Sequence, residues 1–211
     1  MGALLGGLFG LGADRLAARW PIHEDGSVRG ADWRTIAVIL GGAAAFGLLA
    51  ARWTDPLDLA VLGVYVAALI VLLATDLDQK LLPDLITFPL MGYALVVLVL
   101  ELNPVLAGKS QVLIADGDLT AVLAAIAAPA LLAITDRLFR GALGMGDLKL
   151  AVSLGLMFGL SQLFVGFLFG TVAFAAVVLV LVLGRRVSMK TAIPFGPALI
   201  AAGVLAAVVQ L

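Results

Sequence analysis

Charged residues fall in clusters along this chain, and the stretches between them are apolar and close to the length of a bilayer crossing. Runs without Asp, Glu, Lys or Arg cover 1–13, 35–51, 59–75, 85–100, 119–135, 150–184 and 191–211. About 20 helical residues, rising 1.5 Å each, cross the roughly 30 Å of hydrocarbon in a membrane. The run 150–184 would reach roughly 52 Å as one helix, too far for one crossing. Its Gly159-Leu160-Ser161-Gln162 predicts a fold-back that makes two spans. The first run reaches crossing length if Asp14 and Arg15 sit at the interface and the helix continues through Ala18. The pattern therefore predicts an all-α, polytopic membrane protein of about eight transmembrane helices.

Composition agrees. Apolar residues make up 63% of the chain and charged ones 13%, against about 45–50% and 25% in soluble domains, so lipid must solvate much of the surface. The net charge of −1 and the lack of a basic stripe give nucleic acid nothing to bind. With no cysteine and one histidine, His23 in a polar loop, a disulfide framework, a thiolate site and a multi-histidine metal cluster are excluded. No cofactor is expected.

Basic residues set the orientation. None precedes the first apolar run, which therefore reads as a helix and not a signal peptide, and Arg15 and Arg19 follow it. Alternating the spans from an outside amino terminus puts eleven of the 13 basic residues on the cytoplasmic side and leaves Arg52 and Lys109 outside, the bias that the positive-inside rule describes.

Most acidic residues (Asp14, Glu24, Asp25, Asp32, Asp55, Asp58, Glu101, Asp116 and Asp118) lie in loops or at span ends, where a charge ordinarily marks the interface. Two segments differ. Residues 76–87, D-L-D-Q-K-L-L-P-D-L-I-T, join the third span to the fourth and carry Asp76, Asp78 and Asp84 within nine residues. Pro83 should end any helix continuing from the third span, and Asp84 can cap the next one, with Thr87 at its third position. Asp76 has no such structural reason, because a carboxylate there faces the negative end of its helix. The second segment, Gly144-Met145-Gly146-Asp147-Leu148-Lys149, opens the sixth span. Its glycines permit close approach of another chain. Standing alone, Asp147 would read as a helix cap. Together, two aspartates from separate helices at one depth are what an aspartyl peptidase needs: one carboxylate draws a proton from water while the other, protonated, polarises the scissile carbonyl.

These segments carry a family resemblance. Residues 76–87 resemble the first signature of the type IV prepilin peptidases, and G-M-G-D-L-K resembles their second, the GxGD signature. Ile193-Pro194-Phe195-Gly196-Pro197 is similar to a third element near the carboxyl end of that family. The resemblance covers roughly 57–211, a six-helix peptidase core, leaving 1–56 as a two-helix segment with a short cytoplasmic loop. It implies an endopeptidase of the inner (cytoplasmic) membrane that cleaves leaders from prepilins or pseudopilins at the cytoplasmic face. Asp76 and Asp147 are the implied catalytic pair, with Gly144, Gly146, Lys149, Asp78, Pro83 and Asp84 in support. The implied partners are the bilayer and a substrate with a basic leader and an apolar helix. Many members carry paired CxxC motifs in a larger cytoplasmic domain linked to methyl transfer; the cysteine-free loop 14–34 speaks against that second activity. A small transporter, or a structural subunit of a pilus or secretion assembly, is the alternative. Against transport stand the absence of matching half-length segments and the gathering of carboxylates at one face.

Overall fold

In the computed structural model, which describes residues 1–22, 26–107, 117–138, 144–183 and 195–209, the described residues form seven helices and no strand. They are α1 (Gly2–Ala17), α2 (Trp33–Arg52), α3 (Pro56–Gln79), α4 (Asp84–Val99), α5 (Gly117–Leu138), α6 (Met145–Leu183) and α7 (Gly196–Val208). His23, Glu24, Asp25, Lys109, Asp116, Arg140, Arg185, Arg186, Lys190, Ile193 and Pro194 lie outside the described residues.

Local chemistry sets several helix ends. Asp32 caps α2 by accepting the Arg34 N–H at 2.9 Å, while its own N–H donates to the Thr35 hydroxyl at 3.3 Å, a reciprocal capping box. Asp55 accepts the Leu57 N–H at 2.8 Å, and Pro56 at the first helical position loses nothing by lacking a donor. Both acids, without a role in the sequence reading, are helix caps.

The expected break in the long apolar run falls at Gly159, whose φ of 66° and ψ of 177° interrupt α6. Only glycine adopts that backbone geometry readily. Beyond it the chain doubles back. On the first arm, a β-carbon at Gly155 would meet Ala124 and Ala125, and one at Gly159 would meet Thr120, so this arm runs antiparallel to α5. On the second arm, Gly166 packs on Ala202 and Ala206, and Gly170 on Ala201 and Ala202. That arm therefore runs back along α7, its glycines letting the two backbones approach closely. Gln162 seals the far end of the bend by donating to the Ala206 carbonyl at 3.1 Å.

Four helices, α2, α3, α5 and α6, are long and apolar enough to cross a membrane, and α4 and α7 are shorter apolar helices. The expected eight crossings are thus not matched one for one by helices of full crossing length: α1 and α4 have 16 residues and α7 has 13. Large apolar side chains stand exposed around the bundle, Leu131, Phe164 and Val172 among them, as befits a surface facing lipid. Inside, Tyr65 of α3 joins α6 through its hydroxyl, 2.9 Å from that of Ser153, and through an edge-on contact with Phe158 at 5.6 Å.

The helix ends sort into two sets. One end of the bundle gathers the close of α1 and α3 and the start of α2, α4, α6 and α7. Gln79 donates to the Pro21 carbonyl there at 2.6 Å, and Lys149 meets Asp84 at 2.6 Å. At the other end Trp53 donates to the Ala207 carbonyl at 2.8 Å and Asn103 to that of Met157 at 2.7 Å.

Candidate active site

Asp76 sits in the last turn of α3 and is 4% exposed. The turn closes on Lys80, a non-glycine residue in the left-handed region (φ 55°, ψ 37°) whose N–H donates to the Asp76 carbonyl at 2.9 Å. As expected, Asp76 lies at the end of its helix: α3 stops at Gln79, before Pro83 is reached, because Lys80 turns the backbone away. Pro83 instead precedes α4 as its cap residue, in extended geometry and without a side-chain capping bond. Asp84 is consequently not the cap expected of it. It occupies the first helical position and pairs with Lys149.

Asp147 is the third residue of α6 and is 8% exposed. Its Oδ2 accepts the Gly144 N–H at 3.1 Å, satisfying one of the donors that a helix start leaves over. The cap-like contact thus occupies only one of the two oxygens. Oδ1 of Asp147 and Oδ2 of Asp76 are both buried without a hydrogen-bond partner. Buried polar atoms are nearly always partnered, so these two oxygens at one end of the bundle are where a water or a bound molecule would be held.

Close packing brings the segments together. A β-carbon at Gly146 would lie 2.7 Å from Cβ of Leu82, so the start of α6 rests against the α3–α4 connection only because residue 146 has no side chain. Lys149 reinforces the junction, reaching Asp84 and lying 4.6 Å from the centre of the Phe88 ring. Gly144, Gly146, Lys149, Pro83 and Asp84 therefore all border the junction between the two aspartate segments.

Asp78 does not. Its side chain turns toward the amino-terminal segment, where it meets Nε of Arg29 at 2.5 Å and Arg34 at 3.2 Å. Two further residues matter at this end of the bundle. Gly196, at the start of α7, packs directly on the Asp76 carboxyl: a β-carbon there would lie 2.6 Å from Oδ2. The third motif echo was its signal. Asp14, read as an interface marker, is fully buried, with Arg15, Arg29 and Thr35 donating to it. Thr87 is also completely buried at this end of α4, and its hydroxyl has no partner.

Comparison with known proteins identifies the family. Residues 63–183, more than half of the chain and including both aspartates, match the type IV leader peptidase family. The chain belongs to that family. Over 164 residues it is 28% identical to the prepilin leader peptidase/N-methyltransferase of Bacillus subtilis (strain 168). That match covers 78% of this chain, which spans 61% of the relative's length. No solved structure matches the chain.

Proposed function

We propose that this leader peptidase family member is a membrane-embedded aspartyl endopeptidase. It cleaves the leader peptides of prepilins or pseudopilins at the cytoplasmic face of the inner membrane, with Asp76 and Asp147 as its catalytic pair. The observation that carries the reading is the pair of buried carboxyls, from separate helices, each holding one oxygen without a protein partner. A water between those oxygens would be oriented by both. One carboxylate takes its proton as the oxygen attacks the scissile carbonyl carbon, while the other, protonated, donates to the carbonyl oxygen. Collapse of the tetrahedral intermediate breaks the C–N bond and returns a proton to the leaving amine.

The position of the pair fits the substrate class. Both aspartates lie within a turn of a helix end and not at mid-span, so the scissile bond would sit where a basic leader meets an apolar helix. The helix stays in lipid and the leader in water, which spares the charged leader the cost of entering hydrocarbon. This position also favours cleavage over transport along a membrane path. The reading is confined to peptide cleavage; methyl transfer, which the relative's name includes, is not part of it.

The test is cleavage by the purified chain in lipid vesicles, using a substrate with a basic leader followed by an apolar helix. Mass analysis should find one cut at the junction, and a soluble leader peptide without the helix should be cut poorly. Equal cutting of both substrates would contradict the proposed docking.

A further inference from the structure

The last turn of α3 presents Asp76 on one side and Asp78 on the other. Residues two apart on a helix point in nearly opposite directions, so whatever grips Asp78 sets the rotation of the turn that carries Asp76. That grip comes from the amino-terminal segment. Arg29, in the connection between α1 and α2, has a side chain only 13% exposed and reaches three acids on three helices or their caps. Its guanidinium meets Asp14 of α1, Asp32 at the α2 cap at 2.5 Å and Asp78 of α3 at 2.5 Å. Arg34 adds a bond to the Asp78 carboxyl at 3.2 Å and another to its backbone carbonyl at 3.3 Å. Gln79, beside it, donates to Pro21 of the same connection at 2.6 Å.

The charges explain why the cluster holds. Burial works against the Arg29 guanidinium, but Asp14, Asp78 and Asp32 outweigh it and keep the group above its ordinary pKa. A planar fork can meet several carboxylates in fixed directions, which a lysine cannot. Arg29 and Arg34 also face the end of α3, where the unpaired carbonyls carry the negative end of the helix dipole. Asp78, buried at that same negative end, would be unfavourable without them.

We propose that Arg29 is a positioning residue for Asp76: through Asp78 it fixes the rotation of the α3 terminus, so the amino-terminal two-helix segment completes the active site. The proposal rests on the reading of Asp76 as catalytic. It differs from a general stabilising role in what it predicts for turnover.

The experiment uses the full chain in lipid vesicles with the leader-plus-helix substrate, and compares Arg29→Lys, Arg29→Ala and the shape-conserving Asp78→Asn. Misplacing a catalytic group by about 1 Å can cost roughly 10²-fold, so kcat per folded molecule should fall about tenfold or more in Arg29→Ala and Asp78→Asn. KM should stay within about twofold if substrate binding is untouched, and Arg29→Lys should lie between Arg29→Ala and the parent.

A second readout needs no cleavage. The chain has no cysteine, and position 196 lies against the side chain of Asp76, so an Asp76→Cys/Gly196→Cys pair should form a disulfide readily. Adding Arg29→Ala or Asp78→Asn should slow that cross-link several-fold. If the parent does not cleave, the peptidase reading fails, and the cross-link alone still judges whether Arg29 positions residue 76. An unchanged cross-link rate overturns the proposal. So does activity that is lost only in proportion to folded protein, with kcat per folded molecule intact.

Discussion

Gly196 leaves room for Asp76: a β-carbon at position 196 would fall 2.6 Å from Oδ2 and 2.8 Å from Cγ of that carboxyl. Real β-carbons do not approach other atoms so closely, so the start of α7 and the end of α3 can meet as they do only around a glycine. The carboxyl is thereby confined between α7 on one side and the grip on Asp78 on the other.

Gly196→Ala should therefore displace the Asp76 carboxyl while leaving the rest of the bundle intact. Leader cleavage should fall by about 10²-fold, the scale of a misplaced catalytic group, with thermal unfolding in detergent nearly unchanged. Activity within twofold of the parent would show that the close contact does not govern catalysis.

Gly159 offers a test of the fold itself. Alanine there would force a side chain into a backbone region it avoids, and its β-carbon would meet the Thr120 hydroxyl at 2.9 Å. Strain of this kind costs about 1–3 kcal/mol, which should appear as a lowered unfolding midpoint. Gly63 has nothing within 4 Å of its would-be β-carbon, so Gly63→Ala should be neutral or mildly stabilising by helix propensity. Equal behaviour of the two variants would argue against the doubled-back α6.

Much of this architecture is legible in the sequence because lipid imposes a simple rule: apolar runs become helices, and their lengths limit the crossings. The break at Gly159 shows in the length of run 150–184 alone. Asp76 stands out because a carboxylate at the closing end of a helix has no structural excuse, and Asp147, which alone reads as a cap, stands out beside it. What escaped the reading depends on three-dimensional approach. Nothing local distinguishes Asp14 from an interface charge, since its partners Arg29 and Thr35 lie 15 and 21 residues away. That Lys80 closes α3 is not legible locally, because a lysine in the left-handed region has no sequence signature. Asp84 falls one position inside α4 and is not its cap, and its partner, Lys149, is 65 residues distant.

The Asp84–Lys149 pair ties the two aspartate segments together across the site. Asp84 is well exposed, so solvent screening should hold the pair's contribution to stability to about 0–1 kcal/mol. Its expected importance is alignment. Reversing either charge alone should reduce cleavage several-fold, and the exchanged pair, Asp84→Lys with Lys149→Asp, should recover part of the loss. Without recovery in the exchanged pair, the two residues act independently.

The proposed orientation rests on the eleven-to-two division of basic residues expected from alternating spans. Single cysteines at positions 80, 140 and 186 should resist an impermeant thiol reagent in intact cells, whereas one at 109 should react. Labelling at position 80 from outside would invert the proposed topology and put the aspartates on the wrong side for a cytoplasmic leader.

The central claim is that Asp76 and Asp147 perform the cleavage. Asparagine nearly preserves the size of each side chain, and in either place it removes the acid–base function without opening a cavity. The decisive measurement is single-turnover cleavage of a leader-plus-helix substrate by Asp76→Asn and Asp147→Asn in lipid vesicles, normalised to folded protein. Loss of one acid or base typically costs about 10²–10⁴-fold. The double variant should be little worse than either single one, because the two residues act as a unit. Cleavage by either single variant within tenfold of the parent would contradict the account.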